Sequence, residues 1–496
     1  MSAERLRGES VARSAQPAAG EARLGEFGCF VAGQWLRTGD RMEVRSPYDG
    51  ELLAVVHRAG PEQIEAAIAQ ATHAFQATRR MPVWQRAEAL ARIGAGIEAR
   101  REDLAQTIAL EAGKPIAAAR GEVDRAAFTF RVASEEAKRI YGEIVPLDWI
   151  PGLEGREAQV RHVPLGPVAG ISPFNYPLNL VAHKVAPALA AGDTIVLRPA
   201  SQTPLSALAL ADIVQGTAFP DGAFSVVPSS TADAAPLVED ERIRLLTFTG
   251  SPAVGWSLKS RAGRKRVTLE LGGNAGVIVH KDADLAFAAE RVVWGGFQYA
   301  GQSCVSVQRV YVHEDVYDAF KEALVPMVEA LRVGDPLDEA TDVGPVIDAG
   351  AAERIEAWVE EARRGGAKLL AGGAREGNLW PPTLLEGVEP AMKVCNQEVF
   401  APMIGLYRYG DIAEAVRAVD DSDFGLQAGL FTNDWRVIRA AFDGIEVGGL
   451  NVNDVPTFRV DHMPYGGVKQ SGAGREGLRY AIQEMSEMKL LTLNPR

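Results

Sequence analysis

The chain has 496 residues, beyond the roughly 250–300 at which one hydrophobic core stops growing, so two or more domains are predicted. Apolar residues make up 47% and charged residues 24%, an ordinary globular balance, and no apolar run approaches the ~18 residues of a membrane span. A formal net charge of −13 argues against nucleic acid or an anionic membrane surface as a partner.

Three cysteines make no disulfide framework, and the odd count leaves at least one thiol free. Residues 1–22 carry Glu4 and Glu9 and no apolar segment, which predicts a loosely ordered tail rather than a targeting peptide. The expected location is the cytoplasm, where thiols stay reduced.

From Pro61 a helix is predicted, with Ile64, Ile68, Ala71 and Phe75 on one face. The Ala-, Glu- and Arg-rich stretch 82–112 reads as a long second helix ended by "EAGKP", and a third spans 117–139. Past "YGEIVP", the β-branched runs "VAGIS", "TIVLRP", "FSVVP", "LLTFTG" and "VTLELGG" alternate with helix-like segments such as 178–191 and 204–215. Buried runs alternating with helices predict a doubly wound parallel sheet. A second alternating series, from near 284 to "GGLNVN" at 448–453, predicts a second α/β domain. The cluster "RAGRKR" reads as a solvated turn. The terminal "EMKLLTLNPR" reads as a strand, either an intrachain edge or a subunit contact.

Doubly wound sheets bind ligands at the carboxyl ends of their strands. In "LLTFTGSPAVG", Gly250, Ser251 and Gly255 lie between a strand and a helix, a place for phosphate or a tight structural turn. No GxxxxGK[ST] occurs, so an NTP-cleaving loop is unsupported. Arg198 and Pro199 close another strand, where a cation would meet a nucleotide or simply solvent. Glu270 interrupts an apolar run; buried there it would gain the raised pKa of a general base, the alternative being a strand end facing water. Asn175, between Pro173 and Pro177, is either an oxyanion donor or a turn former. Cys304, in "WGGFQYAGQSCVSVQRVYV", is an inert core residue or a nucleophile. No C-x-x-C or H-x-x-x-H spacing supports a metal. Cys29 and Cys395 read as structural, and His313 is poorly placed to serve Cys304 as a base.

The segments "SPFNYP", "HKVAPALAAGD", "FTGSPAVG", "LELGGN", "GQSC", "EVFAP" and "PYGGVKQSGAGREG", in this order, resemble the aldehyde dehydrogenase superfamily over nearly all of the chain beyond the tail. The resemblance implies Cys304 as nucleophile, with the oxyanion held by the Asn175 amide and the Cys304 N–H. Glu270 would activate water to hydrolyse the thioester, and its presence favours the hydrolytic over the coenzyme A-acylating type. Lys184 resembles the family lysine near the site, and Glu398, beside Phe400, the residue that holds the nicotinamide ribose. Ser172, Pro173, Phe174, Arg198, Pro199, Ser201, Gly250, Ser251, Gly255 and Leu271 complete the implied contacts to NAD or NADP. Where many NAD-using members read K-P-x-E, this chain reads "RPAS". Losing the acid at Ser201 and gaining Arg198 implies that NADP is accepted or preferred.

The resemblance also implies an α/β fold of two doubly wound domains, a Rossmann-like cofactor domain (23–142 and 162–273) and a catalytic domain (274–470). A small β arm (143–161 and 484–496) would build a homodimer or homotetramer. Arg459, in a loop over the substrate entrance, would bind a short or anionic aldehyde (a semialdehyde, a lactaldehyde-like, phospho- or sulfo-aldehyde) or form a structural bridge to Asp454 or Asp461. Competing readings are a cofactor-independent thiol esterase at Cys304 and a non-catalytic dehydrogenase-fold protein.

Overall fold

The computed structural model describes residues 22–494, so the predicted tail lies outside it except for its last residue. An eight-stranded sheet organises the first domain. Five parallel strands run side by side in the order Arg266–Glu270, Leu245–Thr249, Pro167–Ile171, Thr194–Arg198 and Phe224–Val226. They are apolar on both faces because helices cover both faces. The helices Asn179–Ala191, Leu205–Gln215 and Pro61–Thr78 supply much of that cover.

The predicted long helix over 82–112 is two helices, Val83–Ala99 and Arg101–Ala112. Arg100 leaves the helical region (φ −111°, ψ 23°), and its guanidinium pairs with Asp212 at 2.9 Å. Glu102 and Asp103 then suit the positive end of a new helix.

A seven-stranded sheet organises the second domain, all parallel except one antiparallel edge strand, Lys368–Ala371. It begins at Ala275–Val279, earlier than the predicted start near 284. The chain therefore crosses from Glu270, the last residue of one sheet, to Ala275, the first of the other, through Leu271, Gly272, Gly273 and Asn274 alone. That crossing positions the candidate site.

The terminal strand Ser486–Leu493 pairs antiparallel along its length with Glu157–Pro164, which pairs in turn with Glu143–Pro146. Three boundaries differ from expectation. The arm strand runs to Pro164 rather than 161, and the last strand starts at 486 rather than 484. The segment after 470 returns to the first domain: Gly472–Ala473 pairs with the Arg266–Glu270 strand, and helix Leu478–Glu484 packs on helix Asn179–Ala191. "RAGRKR" is the turn between helix Pro252–Arg261 and strand Arg266–Glu270, although Arg266 also reaches the carbonyls of Glu484 and Ser486.

Candidate active site

Cys304 follows a tight loop in which Tyr299 and Ala300 both adopt positive φ, at 52°. Such backbone persists only where its surroundings hold it. Tyr299 donates its hydroxyl to the Ala112 carbonyl at 2.9 Å, and the Gln302 side chain accepts from Ile347 N at 2.9 Å. Burial pushes the Cys304 thiol up to about 12, against the opposing hydrogen bond to Tyr465 and the charge of Arg459. Asn175, buried, donates through Nδ2 to the Gln302 carbonyl at 3.0 Å, and its Oδ1 has no partner among the described residues. There too, the Cys304 backbone N–H meets no acceptor. His313 sits at the far end of the following strand, against His280 and Tyr409.

Glu270 is 4% exposed, so it does not face water. Neither carboxylate oxygen has a partner among the described residues. Burial, and then repulsion from Glu476, raises its pKa well above the usual range. Beyond it, the two glycines of the crossing are required by close approach. A Cβ on Gly273 would lie 2.1 Å from the Cys304 carbonyl oxygen, and one on Gly272 2.3 Å from Glu398 Oε2. The crossing thus draws the base candidate, the cysteine loop and Glu398 together.

Lys184 is buried, donating to the hydroxyls of Thr247 at 3.1 Å and Thr249 at 2.7 Å, with Glu476 3.8 Å away. Burial lowers its pKa. Arg459 pairs with neither expected acid. Asp454 is taken by Arg291 at 2.8 Å, and Asp461 by Arg125 at 2.7 Å and His183 at 2.8 Å. Arg459 instead donates to Glu476 at 3.0 Å, stacks over the Tyr465 ring with Cζ 3.7 Å from its centroid, and leaves its buried Nε unpartnered. Tyr465, Glu476, His183 and Arg125 escaped the reading of the sequence, and Asp461 entered it only as a possible partner of Arg459. Tyr465, Glu476 and His183 lie in the motifs "PYGGVKQSGAGREG" and "HKVAPALAAGD", where an acid among glycines was the available signal for Glu476.

The proposed cofactor contacts line adjacent strand ends. Ser172 N donates to the Arg198 carbonyl at 3.1 Å, joining two of those ends, and Pro173 and Phe174 follow. The Arg198 guanidinium donates to the Ser229 carbonyl at 3.1 Å and has no acidic partner among the described residues. Pro199 is buried and Ser201 exposed. Ser251, also exposed, precedes helix Pro252–Arg261, whose amino end is a ready anion site. Gly250 and Gly255 have a packing reason as well, since a Cβ at either would strike Phe248 or Leu271. Glu398 accepts from Gly273 N at 2.9 Å, and burial lifts its pKa to about 7. Phe400, at φ 53°, sets its ring edge-on to Phe174 at 5.9 Å. A cation without an acidic partner among the described residues and a helix amino end along one row of strand ends, with the buried Glu398 carboxyl reaching the crossing from the second domain, fit a dinucleotide.

Two doubly wound sheets joined where a half-buried thiol, a buried carboxyl and a buried amide meet suit nucleophilic chemistry, and a family match makes the protein a dinucleotide-dependent oxidoreductase acting on aldehydes. The profile described as aldehyde dehydrogenase family matches residues 35–491. A 3-sulfolactaldehyde dehydrogenase of Priestia aryabhattai is 47% identical over 470 residues, 95% of this chain and 98% of its own. A lactaldehyde dehydrogenase of Methanocaldococcus jannaschii is 39% identical, over 94% of this chain and 100% of its own. Among solved structures, aldehyde dehydrogenase 21 from Physcomitrella patens, in complex with the reaction product succinate, superposes with a TM-score of 0.93 at 45% identity. That match covers 95% of this chain and 98% of the other. The chain belongs to the aldehyde dehydrogenase family.

Proposed function

We propose that this aldehyde dehydrogenase oxidises a short anionic aldehyde to the free acid through Cys304. The carrying observation is a half-buried thiol within electrostatic reach of buried Glu270 and of Arg459, the Glu270 carboxylate and the Arg459 Nε both lacking a partner among the described residues. Cys304 Sγ forms a bond to the aldehyde carbon, and the carbonyl π pair moves to oxygen. The Asn175 amide and the Cys304 N–H, which meets no acceptor among the described residues, would donate to that oxyanion. The bound dinucleotide supplies the acceptor for the aldehyde's hydride. Glu270 then takes a proton from water, whose oxygen attacks the thioester carbon; the C–S bond breaks and the carboxylic acid leaves.

Ser172, Pro173, Phe174, Arg198, Pro199, Ser201, Gly250, Ser251, Gly255, Leu271, Glu398 and Phe400 would hold the dinucleotide. NADP acceptance rests on Arg198, which has no acidic partner among the described residues, beside the uncharged Ser201. Arg459 would meet the substrate's anion, a reading in line with the sulfonated and carboxylated aldehydes in the names of relatives. The three cysteines are free and two of them are buried, which suits a reducing cytoplasm. The assembly would be a homodimer or homotetramer built through the β arm.

Steady-state reduction of NAD⁺ and NADP⁺ across neutral and anionic aldehydes, with Cys304→Ala alongside, tests the whole reading. Turnover is expected to vanish in the variant and to favour anionic aldehydes. NAD⁺ preferred by more than about tenfold in kcat/KM, roughly 1.4 kcal/mol, would reject the NADP reading. Turnover surviving in Cys304→Ala would reject the nucleophile.

A further inference from the structure

The Cys304 thiol has one side-chain hydrogen-bond partner among the described residues, the Tyr465 hydroxyl at 3.1 Å. Tyr465 is buried, and that hydroxyl has no other partner there. Its position is held from three directions. The Tyr465 N–H donates to the Glu476 carbonyl at 3.1 Å, and the Glu476 N–H donates back at 2.7 Å. The Glu476 carboxylate holds Arg459, whose guanidinium lies flat enough over the Tyr465 ring to bring Cζ within 3.7 Å of the centroid. A cation on that face favours electron density moving into the ring, which makes the phenol a stronger donor.

The direction of the hydrogen bond follows from chemistry. A phenol has one proton to give, whereas a thiolate can only accept. In the reactive state the bond therefore runs from Tyr465 Oη to Cys304 Sγ, and it is charge-assisted. A half-buried thiol otherwise ionises reluctantly, and no lysine or histidine hydrogen-bonds this sulfur among the described residues.

We propose that Tyr465 is a catalytic residue, its hydroxyl stabilising and aiming the Cys304 thiolate, with Arg459 and Glu476 as positioning residues. This rests on the reading of Cys304 as nucleophile. The thiol proton leaves to bulk solvent, and the Tyr465 proton is not transferred. When the C–S bond forms, the sulfur loses its charge and the hydrogen bond weakens. Tyr465 thus raises the fraction of thiolate rather than its intrinsic reactivity, and its effect is greatest at neutral pH.

The test is the rate of Cys304 alkylation by iodoacetamide in the full chain, read by peptide mapping so that Cys29 and Cys395 do not contribute. Wild type, Tyr465→Phe and Tyr465→3-fluorotyrosine are compared at neutral pH. The Phe variant is expected to react about tenfold more slowly, the loss of one charge-assisted hydrogen bond. The fluorinated residue, a more acidic phenol of nearly the same shape, is expected to react faster. Any other ordering overturns the proposal, and if the Phe variant does not fold, the fluorinated chain against wild type decides it. Aldehyde oxidation persisting in Cys304→Ser would instead overturn the nucleophile reading, whatever the alkylation rates.

Discussion

Glu270 holds two properties that ordinarily conflict, deep burial and no hydrogen-bond partner among the described residues. A structural carboxylate is ordinarily paired, so an unpaired one is a candidate for chemistry, the role proposed above. Glu270→Gln should therefore keep the first-turnover burst of reduced dinucleotide while steady-state turnover falls about 10²–10⁴-fold. Rapid-mixing absorbance separates the two phases, and loss of the burst itself would place Glu270 before hydride transfer rather than after it. Because burial raises its pKa, the base form grows as pH rises, so hydrolysis-limited kcat should climb with pH at values above the usual carboxylate range. The variant should lose that climb. Glu270 stood out in the sequence as an acid within an apolar run, whereas Cys304 and Asn175 were marked as site candidates only by the family resemblance of their motifs. Tyr465 was not legible, since a tyrosine beside glycines carries no mark of the sulfur it meets.

At the scale of elements, Asp461 fastens the loop over the site to two helices. It accepts two bonds from Arg125 on Ile116–Ala137, at 2.7 and 3.0 Å, and one each from His183 and Asn179 on Asn179–Ala191. Glu122 binds the same pair of helices, accepting from Leu178 N at 2.9 Å and Asn179 N at 3.1 Å while paired with Lys114. Lys114 in turn lies between the rings of Tyr176 and Tyr299, at 3.7 and 4.4 Å, so the oxyanion turn and the cysteine loop share one support. Burial opposes ionisation of Asp461, but the bonds from His183 and Arg125 prevail and hold its carboxyl well below the usual range. Its contribution to stability is thus present above the unfolded value of ~3.9 and lost as pH falls below it. Asp461→Asn should cost on the order of 2 kcal/mol near neutral pH. Melting curves should show the gap to wild type narrowing below about pH 4, and a constant gap would contradict this account.

For the whole molecule, the unfinished surface is the β arm. Among the residues of Ser486–Leu493 only Ser486 is buried; Met488, Leu490, Leu491 and Leu493 are exposed, beside Ile144, Ile150 and a Trp149 that is 86% exposed. An apolar sheet with an open edge is a template for association. Leu490→Asp with Leu491→Asp, one on each face of the strand, should reduce the molar mass seen by light scattering relative to wild type. A monomeric wild type would show that the arm serves no assembly.

The sequence by itself determined the two α/β domains and, through its motifs, the family and the residues proposed for the site. Hydrophobic periodicity and chemically exposed motifs are local properties, readable within a dozen residues. Only the tertiary structure decided which charge meets which. Arg459 finds Glu476 rather than the nearer Asp454 or Asp461, and Arg125 reaches an acid 336 residues away. It also decided that the terminal strand pairs within its own chain and that the long helix breaks at Arg100. Burial and ion pairing depend on contacts made across the whole fold, and sequence proximity alone does not say which of several acids a cation will meet.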